Sequence, residues 1–188
     1  MRKIIVQEYV TVDGFIEDPN DLQMRWVTSH FNGDLAREIA EWTAGTDTIL
    51  LGRKTYEILS AYWPSDMAKK IDPVMFDHMN NAQKIVFSKT LKDVQWNNTK
   101  LFRDIDAGEI KKLKQEPGKD ITVSGSASIV QALANLNLVD KYYLMIFPLA
   151  IGSGKPLFNN LVKRANLSLV EHKTLTNGVV VLSYDAVY

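Results

Sequence analysis

Three short stretches gather the residue types that hold an anionic group. Gly52-Arg53-Lys54-Thr55-Tyr56-Glu57 combines a glycine, two cations and a hydroxyl. Phe87-Ser88-Lys89-Thr90 sets hydroxyls about a cation, and Val123-Ser124-Gly125-Ser126-Ala127-Ser128 is a run of small residues. A glycine lets backbone N–H groups approach a ligand, and a helix start adds unpaired N–H groups and a positive partial charge. That chemistry suits phosphate. Each stretch also has a plain structural use: Gly52 ends a strand before a solvated basic helix start, Ser88-Lys89 makes a polar loop, and the small residues at 124–128 pack tightly. A structural use does not require all three in succession at strand–loop–helix junctions. Their spacing matches neither the glycine fingerprint of the dinucleotide-binding βαβ unit nor the Walker phosphate loop.

Other residues carry less specific chemistry. Asp34, on the segment that leads into a helix, reads first as an N-terminal helix charge favoured by the dipole. Trp63, in Ala61-Tyr62-Trp63-Pro64, suits a wall for a planar ring and equally core packing. Asp13-Gly14 and Gly152-Ser153-Gly154 read first as turns.

These residues need elements to position them. Lys3 to Val12, rich in β-branched residues and ending at Asp13-Gly14, reads as a buried strand. Leu35, Ile39 and Trp42 recur at helical spacing ahead of the apolar run Thr46 to Leu51. Lys84 to Ser88 and Ile121 to Ser124 repeat the strand signal, with a polar helix over 106–115 between them that stops at Pro117-Gly118. A helix over 128–138 leads into the apolar stretch Lys141 to Ile151. Leu167 to Leu175 and Val179 to Val187 flank Asn177-Gly178, a pair that favours a two-residue hairpin turn. The alternation predicts an α/β fold: a mostly parallel central sheet flanked by helices, with a C-terminal antiparallel hairpin. In such sheets, ligands gather at the carboxyl ends of the strands.

Composition narrows the function. The chain has 188 residues, and no repeat or linker divides it, so a single domain over 1–188 is expected. Lys plus Arg and Asp plus Glu number 22 each, which leaves no net field for a nucleic-acid backbone or an anionic membrane surface. Any anion is bound locally. The absence of cysteine removes disulfides, thiolate catalysis and cysteine metal sites. His30, His78 and His172 lie far apart, without metal-ligand spacing, so no metal is expected. Charges resume too soon after Met1 for a signal peptide or a membrane span, and the expectation is a cytoplasmic protein.

In combination and order, several segments resemble a known family across nearly the whole chain. They are Thr11-Val12-Asp13-Gly14-Phe15-Ile16, Ile49 to Glu57, Val123 to Ser128, and Leu138-Val139-Asp140 leading to Phe147-Pro148 and Ile151-Gly152-Ser153-Gly154. The chain is similar to proteins of the dihydrofolate reductase-like fold, and within it to the reductase group typified by the RibD C-terminal domain of riboflavin biosynthesis. The resemblance implies NADPH as cofactor. Gly52, Arg53, Lys54 and Thr55 then fall at its phosphates, Ser88 and Lys89 near the adenosine 2′-phosphate, and Gly125, Ser126, Ala127 and Ser128 at the pyrophosphate. The backbone around Val10 and the Ile16 side chain then line the nicotinamide. Many relatives have Gly-Gly where this chain has Gly125-Ser126. An ordinary trans bond is expected there, since a non-proline cis peptide costs about 3 kcal/mol.

For the substrate, the resemblance implies Trp26 beside both cofactor and substrate, with Ser29, Phe31 and Trp63 around the ring. Phe31 stands where folate reductases carry a carboxylate, so Asp34 is the candidate catalytic acid. The arginines that riboflavin-pathway reductases use for a ribose phosphate have no counterpart near Trp42 or Trp63. The implied activity is NADPH-dependent reduction of a small pyrimidine- or pteridine-like heterocycle. The alternatives are dihydrofolate reductase itself and a non-catalytic small-molecule-binding or regulatory module on the same fold. A homodimer is expected, because Val179 to Leu182 in the terminal strands need cover.

Overall fold

The computed structural model describes residues 1–21 and 24–188. In chain order the elements are β1 (Ile4–Thr11), β2 (Phe15–Glu17), α1 (Arg25–Thr28), α2 (Gly33–Ala44), β3 (Thr46–Gly52), α3 (Arg53–Tyr62), α4 (Asp66–Ile71), α5 (Pro73–Asn81), β4 (Gln83–Phe87), β5 (Thr99–Phe102), α6 (Ala107–Gln115), β6 (Asp120–Val123), α7 (Ala127–Asn135), β7 (Lys141–Phe147), β8 (Lys155–Pro156), β9 (Asn166–Thr174) and β10 (Val180–Val187). Eight strands form one sheet in the order β5-β4-β3-β6-β1-β7-β10-β9, and β2 pairs with β8 in a separate ribbon. Every pairing from β5 across to β7 is parallel, whereas β10 runs antiparallel to both β7 and β9. This is the expected α/β arrangement with its C-terminal hairpin. No helix among the described residues is long and apolar enough to cross a membrane.

The central strands lack in-out alternation because both faces of the parallel sheet are covered. Ile49, Leu50 and Leu51 of β3 and Ile85, Val86 and Phe87 of β4 are all buried. One face packs Ile4, Val6, Leu50 and Val123 against Ile110 of α6 and Leu133 of α7. On the other, Trp26 of α1 and Leu35 of α2 meet Met145, Phe147 and Val181, while Ile49, Leu51 and Val86 meet Tyr56 of α3 and Met79 of α5.

Polar ties hold the strands in step at their amino ends. The buried Arg2 guanidinium donates to the Lys119 carbonyl ahead of β6, to the Asp47 carboxylate, and to the Thr48 hydroxyl at 2.6 Å. Asp140, ahead of β7, accepts from the Ile4 N–H at 2.7 Å and from Lys114 Nζ at 2.6 Å. With β3, β6, β1 and β7 aligned here, their carboxyl ends share the opposite edge.

The structure departs from the sequence reading in several places. The segment after Ser88 opens no helix: it leads into β5, which lies parallel beside β4, and Ser88 Oγ accepts from the Thr90 and Leu91 N–H groups at 3.2 and 3.0 Å. Only four residues long and carrying Lys100, β5 gives no strand pattern. The apolar stretch from Lys141 leaves the sheet at Phe147, next to Pro148, which has no N–H to give to a ladder. The hairpin turn holds three residues rather than two. Leu175 N–H donates to the Val179 carbonyl at 2.8 Å, and Gly178 takes a left-handed φ of 85° that disfavours a side chain. Val179 and Val181 are buried within the chain, at 0% and 2% exposure, so they require no partner as cover; the exposed apolar residues of the hairpin strands are Leu169 and Val170 on β9 and Val187 on β10.

The Arg2 tie generates a prediction. Arg2→Met keeps an aliphatic stem but strands Asp47, which retains some access to water, so the loss should be about 2 kcal/mol rather than the full cost of a broken buried pair. Urea unfolding measures it, and an unchanged midpoint would mean that the tie adds nothing to stability.

Candidate active site

The carboxyl ends of β4, β3 and β6 lie side by side. Gly52 pairs with Phe87 on one flank of β3, and Leu50 pairs with Val123 on the other. Arg53, Ser88 and the Ser124-Gly125 loop therefore leave the sheet at one edge, as a common anion site demands. Two of these junctions touch: Gly52 N–H donates to the Gly125 carbonyl at 3.1 Å. A Cβ on Gly52 would stand 2.6 Å from Ser126 Oγ, and one on Gly125 would stand 3.0 Å from Thr55 Oγ1. Gly125 also has φ 75°, a conformation that favours glycine. The Gly125–Ser126 peptide is cis, contrary to the trans bond expected from Gly-Ser in place of Gly-Gly.

The helices that start at these junctions differ from the others. Among helices longer than one turn, α2, α4, α5 and α6 begin with a side-chain cap, from Asn32, Ser65, Asp72 and Asp106. Neither α3 nor α7 has such a cap, and neither carries an acid in its first turn. A helix start leaves four N–H groups without intrahelical partners and a positive partial charge, so two uncapped starts beside touching loops fit an anionic group such as a pyrophosphate.

A cleft of about 740 Å³ opens at this edge. Of the residues singled out in the sequence, Ile16, Phe31, Lys54, Thr55, Trp63, Gly125 and Ser126 line it. Gly52 and Ala127 are buried behind the two junctions, and Ser128 Oγ lies 2.7 Å from Ser126 Oγ. Arg53 faces outward and holds both Glu57 oxygens at 3.0 Å, while Lys89 pairs with Asp104 at 2.9 Å. Exposed pairs of this kind are worth well under about 1 kcal/mol, so a phosphate competes for either cation.

Other candidates do not line the cleft. Val10 is a core residue at 4% exposure, Trp26 packs edge-on against Phe147 at 5.0 Å, and Ser29 Oγ donates to the Trp26 carbonyl at 3.3 Å. Ser88 Oγ is occupied with its own turn. Asp34 requires a correction: it is absent from the cleft lining, and its carboxylate accepts from Thr176 Oγ1 and pairs with Arg37. It ties the start of α2 to the hairpin turn, and the Thr176 hydroxyl first, then Arg37, holds its carboxyl below the usual range. A carboxylate so engaged serves as an anchor, not a proton donor.

Glu8, an acid that the sequence reading passed over, lines the cleft together with the glycine loop. It sits on β1, pairs in register with Leu144, and is half-buried as a residue. Its Oε1 atom, however, is shielded from solvent and has no hydrogen-bond partner among the described residues. Burial pushes its carboxyl up to about 8, with the Gly125 backbone N–H and the Lys155 charge pulling part of the way back. The neighbouring Tyr9 phenol is pushed up to about 12, first by burial and then by Glu8. The available signal was a carboxylate inside an otherwise apolar strand core. On the opposite face of β1, Gln7 is satisfied by the Thr122 hydroxyl at 2.7 Å. Ile39, Trp42, Ile49 and Met75 give the rest of the cleft an apolar wall, with Glu17, Asp21, Glu57 and Asp72 also on its lining.

Comparison with known proteins identifies the family and the fold. The family model of the RibD C-terminal domain matches residues 2–181. The uncharacterized protein YyaP of Bacillus subtilis (strain 168) is 35% identical over 183 residues, covering 97% of this chain and 94% of YyaP. The riboflavin biosynthesis reductase Rib7 of Saccharomyces cerevisiae superposes with a TM-score of 0.64 at 14% identity, over 99% of this chain and 90% of that one. Dihydrofolate reductase of Enterococcus faecalis, solved with NADP(H), gives 0.63 at 12% identity over 98% and 96%. At such identities the two structures establish the fold, which is dihydrofolate reductase-like.

The Glu8 environment has a consequence for stability. Its folded carboxyl keeps a proton up to about 8, whereas the unfolded chain loses it near the ordinary value of 4.5, so the folded state binds the extra proton between those limits. The stabilisation is complete below the unfolded value and is lost as pH rises through the folded one. Glu8→Gln removes this dependence, and thermal melts from pH 5 to 9 should show the variant gaining on the parent as pH rises toward about 8. Melting curves that stay parallel would mean that Glu8 titrates normally.

Proposed function

The chain belongs to the RibD C-terminal domain family, and on that premise we propose that it is an NADPH-dependent reductase of a small, planar, pyrimidine- or pteridine-like heterocycle. The observation that carries this reading is the contact between the β3–α3 and β6–α7 junctions, with both helix starts uncapped, at the mouth of an apolar cleft. When bound, the cofactor supplies the hydride. The chain's own residues do the rest. Thr55, Ser126 and the N–H groups of the two helix starts hold the pyrophosphate, and Arg53, Lys54 and Lys89 supply positive charge for the 2′-phosphate, which favours NADPH over NADH. Ile16 and the backbone of β1 bound the nicotinamide. Trp63 and Phe31 enclose the flat substrate and exclude water, as aromatic walls do.

The cleft lining also narrows the substrate. Among the described residues it contains no arginine and several carboxylates, a poor match for a ribose phosphate. The reading is therefore a substrate without a phosphate, distinct from the phosphoribosyl uracil of the riboflavin pathway. A module that binds but does not turn over ligand is less favoured, because the cleft keeps a carboxyl group, that of Glu8, beside the glycine loop.

Calorimetric and fluorescence titration test the cofactor assignment: NADPH and NADP should bind, and failure of both at millimolar concentration removes it. Arg53→Glu should weaken NADPH about 10- to 100-fold, the worth of one charge-assisted contact, with much less effect on NADH. Equal weakening of the two would put the 2′-phosphate elsewhere.

A further inference from the structure

We infer that Glu8 is the residue by which this cleft distinguishes the two redox states of its cofactor: a neutral hydrogen-bonding acid beside the uncharged reduced ring, and a carboxylate beside the cationic oxidised ring. The inference rests on the dinucleotide reading and concerns a residue to which that reading gives no binding role.

Position argues first. Glu8 lines the cleft on β1 together with Ile16, of β2, and with Gly125 and Ser126 of the loop after β6. These are the segments that the dinucleotide reading assigns to the nicotinamide and the pyrophosphate. Satisfaction of its polar atoms argues second. A shielded carboxyl oxygen without a partner is a costly feature unless something completes it, and Oε1 of Glu8 is such an atom. Gln7, its neighbour on the other face, has already found Thr122.

The charges that face Glu8 set the direction of its response. Lys155 of β8 is the cation that acts on it, and the Tyr9 phenol, adjacent on β1, stays neutral because burial and Glu8 itself both raise it. Glu17 of β2, Asp21, Lys54 and Glu57 of α3, and Asp72 and His78 at α5 line the same cleft, and the loop at 124–126 brings no ionisable side chain. Burial outweighs Lys155, so the acid keeps its proton at neutral pH. A further positive charge within about 4–6 Å lowers a carboxyl by about 1–3 pH units, enough to carry this one across neutrality. Oxidised nicotinamide brings that charge, and reduced nicotinamide does not.

Proton linkage reads this directly and needs no turnover. Titration calorimetry at pH 7, in phosphate and in Tris, reports the protons exchanged on binding. The 2′-phosphate is common to NADP and NADPH, so its own ionisation cancels between them. NADP should release a substantial fraction of a proton and bind about tenfold more tightly at pH 8 than at pH 6, relative to NADPH. Glu8→Gln should bind both cofactors with no difference in proton release. Equal release by the two cofactors in the parent protein overturns the inference, and so does a difference that survives in the variant. Should Glu8→Gln fail to fold, NMR of the side-chain carboxyl carbon of Glu8 in the parent, followed across pH with and without NADP, decides the matter: a midpoint lowered by NADP supports the inference, and an unmoved one overturns it. Absence of binding by both cofactors would remove the dinucleotide reading itself, and this inference with it.

Discussion

Two backbones meet where β3 and β6 leave the sheet, and a side chain on either would crowd the point of contact. Gly52 N–H reaches the Gly125 carbonyl, and a Cβ on either residue would press into Ser126 or Thr55. This close approach brings the starts of α3 and α7 together, so that two sets of unpaired N–H groups face one place. The parallel β4-β3-β6 order makes it possible, and the ties of Arg2 and Asp140 at the far ends of the strands keep the register. Polar caps serve α2, α4, α5 and α6; at α3 and α7 the chain leaves the N–H groups open. An open helix start is costly where it is buried and useful where an anion completes it.

Much of this was legible in the sequence because the information is local. An apolar run, then a glycine, then hydroxyls and cations identifies a strand end and a helix start without knowledge of the rest of the fold, and Gly52 to Thr55 and Gly125 to Ser128 sit where that pattern puts them. The hairpin was legible for the same reason, although Asn177-Gly178 closes a three-residue turn. Short elements were not. β5 has four residues with a lysine among them, and β8 has two, so neither has enough length to show a period. The junction after Ser88 misled because polar residues after a strand look alike whether a helix or a turn follows.

The two acids show where local reading stops. Asp34 has the local marks of a functional carboxylate, a position at a helix start near an aromatic cluster. Its partners, however, are Arg37 on its own helix and Thr176 from the hairpin, and they make it a brace. Glu8 has no such marks; it is one charged residue in a strand. What changes its chemistry is burial in the folded chain, against which the Gly125 N–H and the Lys155 charge, both from the far half of the sequence, pull only part of the way back. A carboxyl acquires an unusual proton affinity through desolvation, and desolvation belongs to the folded molecule, not to a sequence window.

The charges that line the cleft also bear on which ligand fits. Lys54 of α3 and Lys155 of β8 line it together with the carboxyl groups of Glu8, Glu17, Asp21, Glu57 and Asp72, and rings and aliphatic side chains make up much of the remaining wall. The uncapped starts of α3 and α7 lie at one edge of this lining, so a ligand with negative charge at one end and a flat ring at the other can set the charge at the helix starts and the ring against the apolar wall. Five carboxyl groups against two lysines on this lining disfavour a phosphate on the substrate. In the reductase reading, then, the β-to-α junctions hold the charged end of the dinucleotide, and an apolar lining in which carboxyl groups outnumber lysines suits an uncharged or positively charged heterocycle.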